Sequence, residues 1–192
     1  LITGIEAGRR IYTNIKKAIQ YIISIHIPII LTVSLPLFLG WVYPHIFSPV
    51  HVIFLELIMG PTCSIVYENE PIEKNTMLNK PRKMTDTFLN LKELSMSIIQ
   101  GIIITIGVLF AYQFAVYSVL GEEKTRSMVF TTLIFANILL SLVNRSFIYS
   151  VVESVQYKNK LFPIVIFATL VSLFAILYIP SFSRFFQLAE LD

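Results

Sequence analysis

The sequence predicts an all-α fold, a polytopic membrane helix bundle of five transmembrane helices with a cytoplasmic N-terminus and an exterior C-terminus. Three observations carry this expectation. Of the 192 residues, 55% are hydrophobic and only 14% are charged, where a soluble domain carries about 25% charged residues. The charges also avoid long blocks: no Asp, Glu, Lys or Arg occurs in 18–55, 94–121, 127–144 or 161–183. A hydrocarbon core about 30 Å thick is crossed by about 20 such residues in a helix. Third, the 15 Lys and Arg are split unevenly between the two sides that five crossings would create. Arg9, Arg10, Lys16, Lys17, Lys74, Lys80, Arg82, Lys83, Lys92, Arg145, Lys158 and Lys160 fall on one side; Lys124, Arg126 and Arg184 fall on the other. Basic residues near span ends mark the cytoplasmic face, so the first group is inside. The net charge of +3 is thereby explained by topology, and no nucleic-acid partner is implied.

The elements run in order along the chain. Residues 5–17, "IEAGRRIYTNIKK", are basic and run without a breaker into a first span at 18–40. They form either one long helix projecting into the cytoplasm or an amphipathic interfacial turn. The first apolar block is too long for one crossing, and it breaks at Gly40-Trp41-Val42-Tyr43-Pro44, with Pro49 soon after. Trp41 and Tyr43 then sit at a membrane edge, as interfacial aromatics do. A second span at 50–67 contains Glu56 and leads into a charged cytoplasmic loop, 68–92, with two prolines. The third span, 93–118, places small residues at Gly107, Ala111 and Ala115, with Ser97 and Gly101 earlier; such faces let helices approach closely in lipid. A short exterior connection at 119–126 precedes the fourth span, 127–146, which carries Asn137, Ser141 and Asn144 at helical spacing. These form interhelical hydrogen bonds or share in lining a pathway. A cytoplasmic connection, 147–160, leads to the fifth span at 161–179.

Glu56 is the strongest chemical signal. A carboxylate inside a membrane span costs a few kcal/mol or more, so it must be paired, protonated or set against a polar cavity. On an unbroken helix Glu56, Gly60, Cys63 and Tyr67 share a face. Pro61 has no N–H, which deprives the Leu57 carbonyl of its helical partner. Interrupted spans of this kind line ion or substrate cavities near the midplane; the alternative is a packing kink with an interhelical hydrogen bond. His26 and Pro28 repeat the arrangement in the first span, Pro28 freeing the Ser24 carbonyl. Cys63 is the single cysteine and has no partner for a disulfide or a metal-binding pair. No phosphate loop, catalytic triad or metal-spaced His/Cys cluster is present, so catalytic residues and a cofactor site are not expected in this segment. The chain starts in mid-pattern at Leu1, without a signal peptide, and is expected to be a fragment of a longer protein.

Two stretches together resemble a known family. "AGRRIYTNIKKAIQYIIS", residues 7–24, is similar to the start of the fifth membrane helix of calcium-pump-like P-type cation-transporting ATPases. "PVHVIFLELIMGPTCSIVYENEPIEKNTMLNKPRK", residues 49–83, is similar to their sixth helix and the loop after it. The resemblance implies that residues 1–192 are a partial C-terminal membrane domain, helices five to nine of a ten-helix pump. It implies a bacterial branch of the family, "GPTCSIVYENEP" being similar to its motif, and a bacterial plasma membrane. It implies that His26, Ile29, Glu56, Met59 and Gly60 stand at the family's ion positions, with Glu56 the best candidate for holding a metal. Pro28, Pro61 and Asn137 complete the expected ion pathway. One Glu and a Met make a poor cage for calcium, which takes six to eight oxygens; a proton or a softer cation fits these residues better. ATP and Mg are implied for the parent pump, as an ATP hydrolase whose phosphorylation and nucleotide domains are not in this chain. The implied partners are the transported cation or proton, the lipid bilayer and the remaining domains and helices of the parent. The alternatives are a structural membrane bundle without its own ion site and part of a secondary transporter.

Overall fold

A computed structural model describes residues 2–73, 76–78, 81, 87–146 and 159–191, leaving aside the side chains of Cys63 and Ser64. The described residues form α1 (Ile2–Phe38), α2 (Pro49–Pro61) with a π-helical turn at Thr62–Tyr67, α3 (Leu91–Tyr117), α4 (Glu122–Val143), α5 (Leu161–Tyr178) and α6 (Pro180–Phe186). A short 3-10 turn lies at Thr76–Leu78, and there is no strand among the described residues. Five of these helical segments are long and apolar enough to cross a membrane. The chain is an all-helical integral membrane bundle. Most of the connection at 147–160 and part of the loop at 68–92 lie outside the described residues.

The long-helix reading of 5–17 is the one the structure adopts: α1 is continuous for 37 residues. Its basic turns are tethered sideways. Arg9 Nη1 donates to the Thr76 carbonyl at 2.6 Å and Tyr12 Oη donates to the Phe88 carbonyl at 3.3 Å. Lys16 Nζ lies 2.6 Å from Glu93 Oε1, while the other oxygen of Glu93 accepts the Asn90 N–H in a capping box at the start of α3. The capping pattern Asn-x-x-Glu thus does two jobs: it satisfies the first amides of α3 and holds α1.

Contacts fix which ends lie together. At one end Arg126 of α4 donates to the Ile46 carbonyl, in the α1–α2 connection, and to the Gln187 carbonyl after α6. Lys17, Glu73 and Arg145 gather at the opposite end. Arg126 therefore stands on the poorly basic side and Lys17 and Arg145 on the strongly basic one, so the charge bias makes the Arg126 end exterior.

α1 and α3 cross at a glycine. A Cβ on Gly101 would lie 2.8 Å from the Ser24 carbonyl oxygen and 2.8 Å from Ile27 Cβ. Pro28 leaves that carbonyl without a helical donor, so it faces the bare Cα surface of α3 rather than an ion pathway. The small-residue face is Ser97, Gly101 and Thr105, continued by Val108, Ala111 and Ala115, all buried. Gly107, expected in this stripe, instead stands exposed with nothing within 4 Å of its would-be Cβ. Exposed apolar residues such as Ile103, Ile106 and Phe110 occupy its side of the helix.

The sequence reading did not anticipate α6. Ile179 is extended (φ −89°, ψ 117°), Pro180 starts a new helix, and Gln187 ends it in the left-handed region at φ 50°. Pro at a first helical position was the available signal; a search for apolar spans passes over a helix of 7 residues.

Reporter fusions at Thr3, Tyr43, Thr76 and Glu123 are expected to read inside, outside, inside and outside. Thr3 and Tyr43 on the same side would refute the first crossing. Gly101→Ala is expected to lower stability by about 1–3 kcal/mol through overpacking, measured by thermal denaturation in detergent, with Gly107→Ala close to neutral. Equal shifts in the two variants would show that the crossing does not depend on Gly101.

Candidate functional site

Glu56 and His26 meet between α2 and α1. His26 Nε2 lies 3.2 Å from Glu56 Oε1, and the two side chains are 40% and 48% exposed respectively. The tautomer follows from the second contact of the ring. His26 Nδ1 is 2.8 Å from the Ile22 carbonyl, which only accepts, so Nδ1 carries a proton. Nε2 and Oε1 are then joined through one proton between them. The sequence placed these residues on adjacent spans; the structure brings them into contact.

The break after Glu56 takes another form than the expected unwound segment. α2 stays helical through Pro61 and is followed by a widened turn at Thr62–Tyr67. In a π turn the backbone bonds run in an i→i+5 register, while the Thr62 N–H at its start donates to the Met59 carbonyl. The change of register rotates the residues beyond it. Glu56 and Gly60 remain on the open face, but Tyr67 is fully buried, contrary to the shared face expected for an unbroken helix. The Cys63 side chain lies outside the described residues.

The other expected residues divide between two surroundings. Gly60 is exposed and Pro61 half-buried on the Glu56 side. Met59 is buried in the same core cluster as Ile25 and Ile29, and Pro28 is buried in α1. Asn137 is also buried, and its Oδ1 accepts a hydrogen bond from Tyr21 Oη. Next to it, Tyr67 Oη donates to the Ser141 carbonyl at 3.2 Å. Asn137 thus ties α4 to α1 in the core, with a small cavity of about 10 Å³ beside it. Among the described residues no group of three His, Cys, Asp or Glu is placed to hold a metal ion together.

A second polar cluster escaped the sequence reading. Just after α2, Arg145 Nε donates to Glu70 Oε1 at 2.7 Å, with both side chains 2% exposed. Lys17 Nζ lies 2.7 Å from Glu73 Oε1, also buried. Asn159 Nδ2 donates to Glu70 Oε1 and to the Val66 carbonyl, and Asn14 Nδ2 donates to the Glu70 carbonyl at 2.9 Å. Arg145 also stacks over Phe162, its Cζ 4.3 Å from the ring centroid. Asparagines thus tie down the backbone at the end of the π turn and just after it: Asn159, ahead of α5, bonds the Val66 carbonyl, and Asn14 of α1 bonds the carbonyls of Glu68 and Glu70. Lys17 and Arg145 read as topology markers in the sequence, and Glu70 and Glu73 as residues of a solvated loop. Nothing local in "ENEPIE" distinguishes a buried acid from a wet one.

The comparisons with known proteins agree with this architecture. The model of a family described as cation transporting ATPase, C-terminus, matches residues 44–192. The human calcium-transporting ATPase type 2C member 1 is 24% identical over 192 residues, covering 100% of this chain and 21% of that protein. A calcium-transporting ATPase of Listeria monocytogenes is 26% identical over 160 residues, 83% of this chain and 18% of that protein. Calcium-transporting ATPase 1 of Lactococcus lactis is 28% identical over 146 residues, 76% of this chain and 16% of that protein. The chain spans about a fifth of the length of the curated relatives it matches.

Glu70→Gln should leave Arg145 facing a neutral amide where water is excluded, at a cost of about 3–5 kcal/mol. Glu68→Gln, on an exposed neighbour, should be nearly neutral. Thermal denaturation in detergent distinguishes them, and equal midpoints would mean that the Glu70–Arg145 pair contributes nothing.

Proposed function

This chain belongs to the cation-transporting ATPase C-terminal family, and from that premise we propose that it forms part of the ion pathway of an ATP-driven P-type cation pump, with Glu56 as the central ligand. The observation that supports this reading is the Glu56–His26 pair itself. Two ionisable side chains meet at 3.2 Å within apolar spans and are about half open. Hydrocarbon against such a pair would be costly, so a polar pathway or another part of the pump covers this face. Gly60, on the same side, lets a cation or a neighbouring backbone come close without a side chain in the way.

ATP and Mg act in the phosphorylation and nucleotide domains of the parent pump, of which residues 1–192 are a C-terminal part. The bacterial members among the relatives, from Listeria and Lactococcus, support a bacterial plasma membrane as the location.

The relatives named above are calcium-transporting ATPases. In this chain the candidate positions offer Glu56 and His26 on the open face, whereas Ile29 and Met59 are buried in the core. Calcium is held by six to eight oxygens, several from carboxylates. A single carboxylate suits a proton, or a cation with a softer ligand preference, better than it suits calcium.

In the full-length parent, Glu56→Gln is expected to abolish ion-stimulated ATPase activity while leaving membrane insertion intact, because the amide keeps the shape and loses the charge. Wild-type ATPase activity is expected to respond weakly to calcium and steeply to pH, the pH response weakening in His26→Ala. ATPase assays across calcium, other cations and pH test both statements. Unchanged ion affinity in Glu56→Gln would make the pair a structural contact of a scaffold bundle, and tight calcium activation with little pH sensitivity would overturn the ion assignment.

A further inference from the structure

The cavity beside Asn137 is lined by polar side chains from three elements. Thr62 opens the π turn, Asn137 and Ser141 come from α4, and Thr169 comes from α5. All four are buried, at 3–6% exposure. Ile58 and Phe162 contribute to the apolar part of the wall. Asn137 Oδ1 accepts from Tyr21 Oη, which leaves the amide's Nδ2 to donate elsewhere. Among the described residues Nδ2 has no acceptor and the Thr169 hydroxyl has no partner. A buried donor left in that state costs its full desolvation.

The other two polar groups have the opposite character. Thr62 Oγ1 donates to the Ile58 carbonyl at 3.3 Å, and Ser141 Oγ donates to the Ile138 carbonyl at 2.7 Å. Each hydroxyl has used its one proton and keeps lone pairs that can accept. The cavity is thus bordered by two uncommitted donors and two available acceptors. Its volume is about 10 Å³, at the lower end of the roughly 10–15 Å³ that one water requires. It admits one molecule of that size and none larger. No Asp, Glu, Lys, Arg or His lines it, so a cation held there would lack a counter-charge.

We propose that this cavity is a binding site for one water, which accepts from Asn137 Nδ2 and Thr169 Oγ1 and donates to Thr62 Oγ1 and Ser141 Oγ. Water is the ligand class that fits: neutral, of this size, with two protons to give and two lone pairs to receive. Its four bonds join the π turn, α4 and α5 through a single molecule. They do so where the backbone is irregular. The Thr62 N–H donates to the Met59 carbonyl, and the Ile58 carbonyl receives the Thr62 hydroxyl. The water therefore steadies the side chain that completes the backbone at this point. It also gives Asn137 a task other than lining an ion pathway, because its amide is shared between Tyr21 and the water. The assignment does not rest on the Glu56 reading, since none of the four residues is bonded to Glu56 or His26.

The test turns on the sign of a Thr→Val substitution in the full-length protein. Valine keeps the shape of threonine and removes its hydroxyl. Where that hydroxyl is buried without a partner, its removal relieves a desolvation cost. Where it bonds a water, its removal loses that bond and leaves the water poorly held. Thr169→Val is therefore expected to lower the thermal denaturation midpoint in detergent by about 2–4 °C. Thr32 and Thr131 are the references: their hydroxyls are buried with no partner among the described residues, and neither lines this cavity. Thr32→Val and Thr131→Val are expected to keep or raise the midpoint. A Thr169→Val midpoint at or above wild type, or a fall matched by both references, would overturn the water. The second arm is a density map of the wild-type protein at a resolution that shows ordered water. One peak is expected within about 3.2 Å of both Asn137 Nδ2 and Thr169 Oγ1, and a featureless cavity would overturn the proposal. This arm decides the question even where Thr169→Val fails to accumulate.

Discussion

Hydrocarbon offers no hydrogen-bond partner, and that constraint organises everything else in this bundle. A polar group in a span either finds a partner inside the protein or opens onto a face that something polar must cover. The buried groups here take the first course with few exceptions. Tyr21 bonds Asn137, Tyr67 bonds the Ser141 carbonyl, and Ser24 bonds Gln100, which in turn meets Asn144. These contacts link α1, the π turn, α3 and α4 through the interior. Because lipid is as apolar as a leucine core, burying Leu or Ile does little to draw the helices together. Close approach at Gly101 and these polar ties supply the specificity instead.

The same constraint makes the Glu56–His26 pair stand out. Its members satisfy each other, yet they face outward from the bundle. The clusters at the two ends differ from it in kind. Glu70 and Arg145 are sealed from solvent and surrounded by further donors, which is the arrangement a structural ion pair requires. A pair built for stability is closed; a pair that exchanges its proton or ion must be reachable.

Much of the architecture was legible in the sequence because hydropathy and charge bias are one-dimensional signals. The five spans, the continuity of the first with its basic run, and the neighbouring placement of His26 and Glu56 could all be read there. What could not be read depends on rotation about helix axes. Gly107 fits the small-residue spacing as well as Gly101 does, but only Gly101 faces α1. The lost N–H of Pro61 was visible, whereas the π turn that follows it, with Tyr67 buried at its end, was not. Lys17 and Arg145, put on one side by the charge bias, do lie at one end of the bundle, but in ion pairs that the bias did not show. Their partners, Glu73 and Glu70, come from a loop whose fold depends on contacts with three helices.

α2 shows how these levels join. Its head is held by His51, whose Nε2 donates to the Phe186 carbonyl at the end of α6. Its cytoplasmic foot is held by Tyr67, by Asn159 on the Val66 carbonyl and by Glu70 on Arg145. Between the two anchorages lie Glu56, Gly60, Pro61 and the π turn. A proline and a π turn leave the backbone ladder weakest there, because one donor is missing and the remaining bonds have shifted register. With both ends fixed, a change in twist along α2 is accommodated most easily in that stretch, and Glu56 sits just ahead of it. The residue expected to meet the ion thus borders the most compliant part of a helix whose ends are tied down. A rigid, uninterrupted span would not supply this combination of fixed ends and a compliant middle.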